Sequence, residues 1–219
     1  LRYYELFFYR KYIDILFLPT NRMANYLPLN WPQKNVYPLP PGVKQERNYN
    51  NKHINKKEEF KLLYVGNISP PLYNLKSLFS TINKIADVKL IVICRKEDWL
   101  KSKELYSCVL SKKISIHHLA GDELIDHYRA ADVFITYREH HPYLNITLPM
   151  KIHEAWSYGL PIIARTGAVD GEWIEMLNGG WLVSSEVELE NLIKKLINNY
   201  SLVNLKRKNI KEIIKYHSW

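Results

Sequence analysis

The densest set of side chains able to do chemistry lies in Pro149-Met-Lys-Ile-His-Glu-Ala-Trp-Ser-Tyr-Gly-Leu-Pro-Ile-Ile-Ala164. Pro149 suits the first turn of a helix, Gly159 suits its left-handed C-terminal cap, and Pro161-Ile-Ile-Ala begins a buried strand. A short helix squeezed between a loop and a strand points its N-terminus at the carboxyl edge of the sheet. Free backbone N–H groups and the helix dipole favour a phosphate there. Lys151, in the first turn, opposes the dipole slightly and makes better sense beside an anion. Glu154 follows Met150 by one turn and can face the same cleft as Lys151. Its carboxylate can accept two hydrogen bonds from vicinal ribose hydroxyls. The same spacing also fits a surface Lys and Glu on a packing helix, and spacing alone does not separate the two.

Other reactive residues form weaker patterns. His117 and His118 fall in a strand, so their side chains point to opposite faces and cannot chelate together. His140 and His141 sit in a Pro-containing loop, where either could touch a ligand, and His153-Glu154 lacks the second His of a HExxH motif. No metal site is expected. Cys94 and Cys108 form neither a CxxC pair nor a disulfide framework, fit a reducing cytoplasm, and are expected to be small buried apolar residues. Trp99, Trp156 and Trp173 read as packing residues of helices, with Trp173 near enough to the 166–171 loop to line one side of a binding cleft. The sequence has no Gly-x-Gly-x-x-Gly, no Walker loop and no Gly-x-Ser-x-Gly elbow, which removes the main support for dinucleotide oxidoreductases, P-loop NTPases and α/β-hydrolases.

The elements that must hold these residues alternate along the chain. Strand-length apolar runs are expected at 13–18, 36–39, 60–65, 88–94, 114–118, 133–136, 161–164 and 181–183. Amphipathic helices are expected at 75–85, 97–109, 123–130, 150–158, 171–177 and 187–199. Uninterrupted Val/Ile/Leu runs alternating with helices argue for an α/β fold with a doubly wound parallel sheet. Pro38, Pro40, Pro41 and Gly42 end a first segment, and 44–59 is rich in Asn and Lys. Residues 1–41 therefore read as the end of one domain, 42–59 as a linker, 60–199 as a nearly complete second domain, and 200–219 as a further segment. Leu1 in place of Met, without a signal-peptide pattern, gives the expectation of a piece of a longer protein.

With 47% hydrophobic and 24% charged residues the 219-residue chain is not disordered as a whole. No apolar run approaches the about 18 residues of a membrane span. The net charge of +9 is concentrated at 194–215, where seven Lys or Arg face one acid, Glu212. This is a solvated helix face, or an attraction to phosphate-bearing ligands or an anionic membrane surface. Aromatic residues do not interleave with these charges as on a single-stranded nucleic-acid platform, so nucleic acid is not the expected partner.

The pattern Pro149-x-Lys151-x-x-Glu154-Ala-x-x-x-Gly159-x-Pro161-Ile-Ile-Ala resembles the donor-site signature of glycosyltransferases with the GT-B fold, and is most similar to family 4. Tyr64-Val-Gly-Asn67 resembles the opening strand of that family's nucleotide-binding domain. The stretch 123–136 is similar to the helix–strand unit before its donor loop. The stretch 168–183, with Glu175 and Gly179-Gly180-Trp-Leu-Val, resembles the family's helix–strand unit C-terminal to the donor helix. Upstream, 14–20 and 35–43 look like the last unit of the first GT-B domain entering the interdomain linker.

The resemblance implies a Rossmann-like donor-binding domain that holds a nucleotide-diphosphate sugar. The sugar would pass to a glycan or lipid-linked acceptor, as in polysaccharide assembly, with no metal or cofactor. By position, Glu154 would hold the ribose, Thr147, Leu148 and the helix N-terminus with Lys151 the diphosphate, and Gly66 would let the chain pass close to the donor. Arg95 would supply a positive charge beyond its strand, and Leu119 would lie where the family contacts the base. The protein would be cytoplasmic, or peripheral to the inner face of a membrane. Two departures stand out. The family's first glutamate falls at Ile146, leaving Asn145 or Glu139 as substitutes, and its Arg/Lys pair after the first strand has no clear counterpart before Lys76. A degenerate, non-catalytic nucleotide-sugar-binding protein is the alternative that fits these departures, and an anion-binding α/β module the other.

Overall fold

The computed structural model describes residues 11–27, 35–42, 59–139 and 141–217. The expected linker, apart from its ends, and His140 lie outside the described residues. Two short strands, β1 (Leu16–Leu18) and β2 (Val36–Pro38), pair in parallel around a short helix, α1 (Asn21–Ala24).

The main body is a six-stranded, all-parallel sheet. Its strands are β3 (Phe60–Val65), β4 (Val88–Ile93), β5 (Ile114–His117), β6 (Val133–Ile135), β7 (Ile162–Arg165) and β8 (Gly180–Val183), in the order β5-β4-β3-β6-β7-β8. The helices are α2 (Lys76–Asn83), α3 (Lys96–Tyr106), α4 (Ile125–Ala130), α5 (Met150–Ser157), α6 (Val169–Met176), α7 (Glu186–Asn198) and α8 (Ser201–His217). Most expected elements are present with ends moved by a residue or two. The helix expected at 171–177 begins at Val169, and that at 123–130 is split into a 3-10 turn, Gly121–Leu124, and α4.

Alternation along the strands explains why the apolar runs are uninterrupted. Phe60, Leu62 and Tyr64 enter one hydrophobic layer with α2 and α7, while Leu63 and Val65 enter the opposite layer with α4, α5 and α6. Helix α8 touches both layers, giving Val203 to the first and Ile210, Ile213 and Ile214 to the second. At the start of β6, buried Asp132 accepts from the Lys61 N–H at 2.8 Å and from the Tyr200 hydroxyl at 2.9 Å, which stitches β3, β6 and the chain entering α8 together.

Helix α5 is held at its C-terminus by backbone geometry and packing. Gly159 sits at φ 71°, its N–H donates to Trp156 O at 2.7 Å, and Leu160 N–H donates to Ala155 O at 3.1 Å. These two bonds form a Schellman cap, which needs the left-handed conformation that glycine adopts without strain. Trp156, fully buried, donates from Nε1 to Gly179 O at 3.2 Å. At Gly180 a Cβ would stand 1.9 Å from Ile162 O, so the β7–β8 pairing needs glycine there.

Candidate functional site

The strand order reverses between β3 and β6. In an open α/β sheet such a switch leaves a crevice beyond the carboxyl ends of the two strands, where the loops leaving them diverge. Here it forms a cleft of about 270 Å³. Gly66, Asn67 and Tyr73 line one side, Thr136 and Arg138 the floor, and Thr147, Leu148, Pro149 and Lys151 the other. Among the described residues lining it, the cations are Arg138 and Lys151, and no carboxylate is present.

Each wall is fixed by the chain behind it. Buried Tyr64 donates its hydroxyl to Asn67 O at 2.6 Å, and the Asn67 side chain accepts from Ser69 N–H at 2.7 Å. Tyr106 of α3 donates its hydroxyl to Ile68 O at 2.6 Å and accepts from Leu75 N–H at 3.2 Å, bracketing the loop that carries Tyr73. Burial pushes both phenols above their ordinary pKa, so they stay protonated donors. Across the cleft, Pro149 is the N-cap residue of α5 rather than part of its first turn, and no side chain caps the helix. Ile152 N–H donates back to Pro149 O at 3.2 Å, so the N–H groups that the helix start can offer a ligand are those of Met150 and Lys151.

The two cations are each held by a carboxylate. Lys151 pairs with Glu154 one turn along α5, both about one-third exposed (38% and 34%). Arg138 is mostly buried, with 10% of its side chain exposed, and pairs with buried Asp170 at 2.8 Å. Its Nε donates to Thr136 O at 3.3 Å, and its guanidinium lies 5.9 Å from the Tyr73 ring centre. Burial raises the Asp170 carboxyl above the usual carboxylate range, while Arg138 and the Gly171 N–H pull it back.

Of the residues singled out from sequence, Gly66, Thr147, Leu148 and Lys151 come together in this cleft. Glu154 joins them through Lys151. Asn145 lines a smaller neighbouring cavity with Glu139, Thr166, Arg165 and Asp170, which shares Thr136 and Arg138 with the cleft. Arg95 is the exposed N-cap residue of α3, and half-buried Leu119 packs on the second hydrophobic layer; neither lines the cleft. His141 accepts from Tyr143 N–H at 3.1 Å within its own loop. Trp173 packs against the His153 ring at 6.1 Å and on the second layer. Cys94 is buried as expected, but Cys108 is exposed, because it falls in a surface 3-10 turn after α3. Among the described residues, no group of three or more His, Cys, Asp or Glu is placed to hold a metal.

Arg138 escaped the sequence reading. No motif marks it, and its role depends on β6 lying beside β3 rather than beside β5. The absence of a cation directly after β3 was visible, but not which distant residue fills the space. The basic cluster of α8 is also smaller in space than in sequence. Lys206 folds onto Trp181 and Asn178, and Arg207 onto Ala131 O and Asp132 O, which leaves Lys208, Lys211 and Lys215 on the outer face.

No curated protein matches this sequence. Among solved structures, it resembles HepE of Anabaena in complex with UDP and glucose, with 12% identity and TM-score 0.78 over 99% of this chain and 62% of that one. It also resembles WaaG, a glycosyltransferase involved in lipopolysaccharide biosynthesis, with 15% identity and TM-score 0.71 over 91% and 58%. The sucrose-phosphate synthase of Thermosynechococcus elongatus matches with 16% identity and TM-score 0.71 over 99% and 58%. At these identities the likeness is one of fold, GT-B, and the chain spans about 60% of the length of these structures. The sequence match is independent of that likeness: residues 59–199, which contain the whole switch-point cleft, fit the family described as glycosyl transferases group 1, and the chain belongs to it.

Proposed function

We propose that this chain carries the donor site of an enzyme that moves a sugar from a nucleoside diphosphate to a glycan or lipid-linked acceptor. The observation that carries this reading is the switch-point cleft, whose lining carries two cations, each paired with a carboxylate behind it, and a helix N-terminus at its wall. The diphosphate would lie between Arg138, Lys151 and the first N–H groups of α5, against the Thr147–Leu148 backbone and beside Gly66. Glu154 would leave Lys151 to accept the two ribose hydroxyls. As the bond to the sugar breaks, negative charge grows on the departing diphosphate, and these donors, already in place once the nucleotide is bound, stabilise it. The protein's own cations meet that charge, so the reading calls for no metal.

Residues 1–41 would close the acceptor-side domain, and 200–219 would begin the segment that crosses back to it. An acceptor at an anionic membrane fits Lys208, Lys211 and Lys215 on the outer face of α8, beside exposed Leu205 and Tyr216. Among the described residues no helix is long and apolar enough to cross a membrane. Charge reversal at the three lysines should abolish sedimentation with phosphatidylglycerol vesicles, and unchanged sedimentation would remove the membrane from the reading.

Calorimetry with UDP, GDP and ADP tests the donor site. One diphosphate should bind, and Glu154→Ala should weaken it about tenfold, or ~1.4 kcal/mol. A folded chain that binds none of the three would refute the reading.

A further inference from the structure

Two residues upstream of the six-stranded sheet reach into the loops of the cleft. Thr20, buried with 4% exposure, donates from Oγ1 to Ile146 O at 2.8 Å. Arg22 of α1 donates from Nη1 to Asn145 O at 3.0 Å and to Gly167 O at 3.2 Å, and its Nη2 pairs with the Glu172 carboxylate of α6. Two consecutive carbonyls are thus held from outside the sheet, immediately before Thr147 and Leu148, which line the cleft. In a trans peptide the C=O and N–H point in opposite directions, so the Arg22 bond to Asn145 C=O also fixes the direction of the Ile146 N–H, as the Thr20 bond to Ile146 C=O fixes that of the Thr147 N–H. The same guanidinium joins this loop to the β7–α6 turn. A planar fork with five donors can do that, whereas an ammonium cannot span the set equally well.

We propose that Arg22 is a positioning residue, which sets the 145–148 loop from the upstream segment so that docking of that segment and occupancy of the cleft strengthen each other. The proposal rests on the reading of the cleft as a diphosphate site. Because the coupling is a free energy between two sites, it acts equally in both directions. Arg22 is 37% exposed and Glu172 57%, so removing either leaves no buried charge and the fold should survive.

The test uses the full chain and its Arg22→Ala, Arg22→Lys and Glu172→Gln variants. Binding of UDP, GDP and ADP is measured by calorimetry, and amide hydrogen exchange is followed without ligand. Arg22→Ala should weaken diphosphate binding about tenfold and speed exchange at 146–148 and 167, with Tm and exchange in β3 and β4 unchanged. Arg22→Lys should recover part of both effects, and Glu172→Gln should leave exchange at 146–148 near wild type because both carbonyl contacts remain. Unchanged loop exchange in Arg22→Ala overturns the clamp. Faster loop exchange with undiminished affinity overturns the coupling. A wild-type chain that binds no diphosphate refutes the donor reading and the coupling with it, while the exchange data still decide the clamp.

Discussion

Replacing Arg138 by glutamine should leave Asp170 as a buried carboxylate without its cation. Asp170 is 2% exposed, and in the native protein Arg138 at 2.8 Å and the Gly171 N–H at 3.1 Å offset part of its burial. Removing one partner of a buried pair costs about 3–5 kcal/mol. With a urea m-value of about 2 kcal/mol/M, the midpoint should fall by roughly 1.5–2.5 M at pH 7. The pH dependence comes from the same charge. Burial already holds the Asp170 carboxyl above its ordinary range, and losing Arg138 raises it further. A carboxyl whose pKa is higher folded than unfolded binds its proton more tightly in the native state. The deficit should therefore be largest at pH 7 and shrink as pH falls through the folded pKa. In the double variant Arg138→Gln/Asp170→Asn the buried charge is gone, so the loss at pH 7 should be about 1 kcal/mol and the large deficit specific to Arg138→Gln at that pH should be absent. Urea unfolding monitored by circular dichroism at pH 5, 6 and 7 measures all three proteins. Equal deficits for Arg138→Gln at every pH, or a double variant no more stable than the single one at pH 7, would refute the electrostatic argument.

Packing and burial give two further expected outcomes. Gly180→Ala drives its Cβ into the backbone oxygen of Ile162, which cannot rotate away, so the chain should lose about 1–3 kcal/mol in urea; an unchanged midpoint would mean that β8 pairs more loosely than its register implies. Burial pushes the Cys94 thiol up to about 12 while Cys108 is exposed. Titration with a chromogenic disulfide at pH 8 should therefore release one thiol from the native chain and two after unfolding, and rapid release of both would contradict the enclosure of Cys94.

Much of this fold was legible because its signals are local. The run Phe60–Val65 could be assigned to a doubly buried strand from its own composition, and the Gly159 cap from one residue at the end of one helix. The cleft was legible in part for the same reason. Thr147, Leu148 and Lys151 sit within five residues of one another at the start of α5, and Gly66 closes a strand that has its own signal. Arg138, Tyr73 and Arg22 enter the site by a different route. Their roles depend on which strand β6 joins and on contacts between distant parts of the chain, as with Arg22 and Asn145, which are 123 positions apart. Periodicity carries no information at that range. Cys108 was misjudged because free cysteines are usually buried, and nothing in its neighbours announced a surface 3-10 turn.

The central place of β3 has a consequence for the chain as it leaves the ribosome. Synthesis delivers β3, β4 and β5 first, and they can pair at once, which covers one edge of β3. The other edge waits for β6, and the Lys61–Asp132 contacts that close it join residues 71 positions apart. Until then the nascent protein presents an open hydrogen-bonding edge flanked by Leu62 and Leu63, the kind of template that invites pairing with another chain. Slow translation between β5 and β6 would lengthen that exposure, and a truncated product ending before Val133 would keep it permanently.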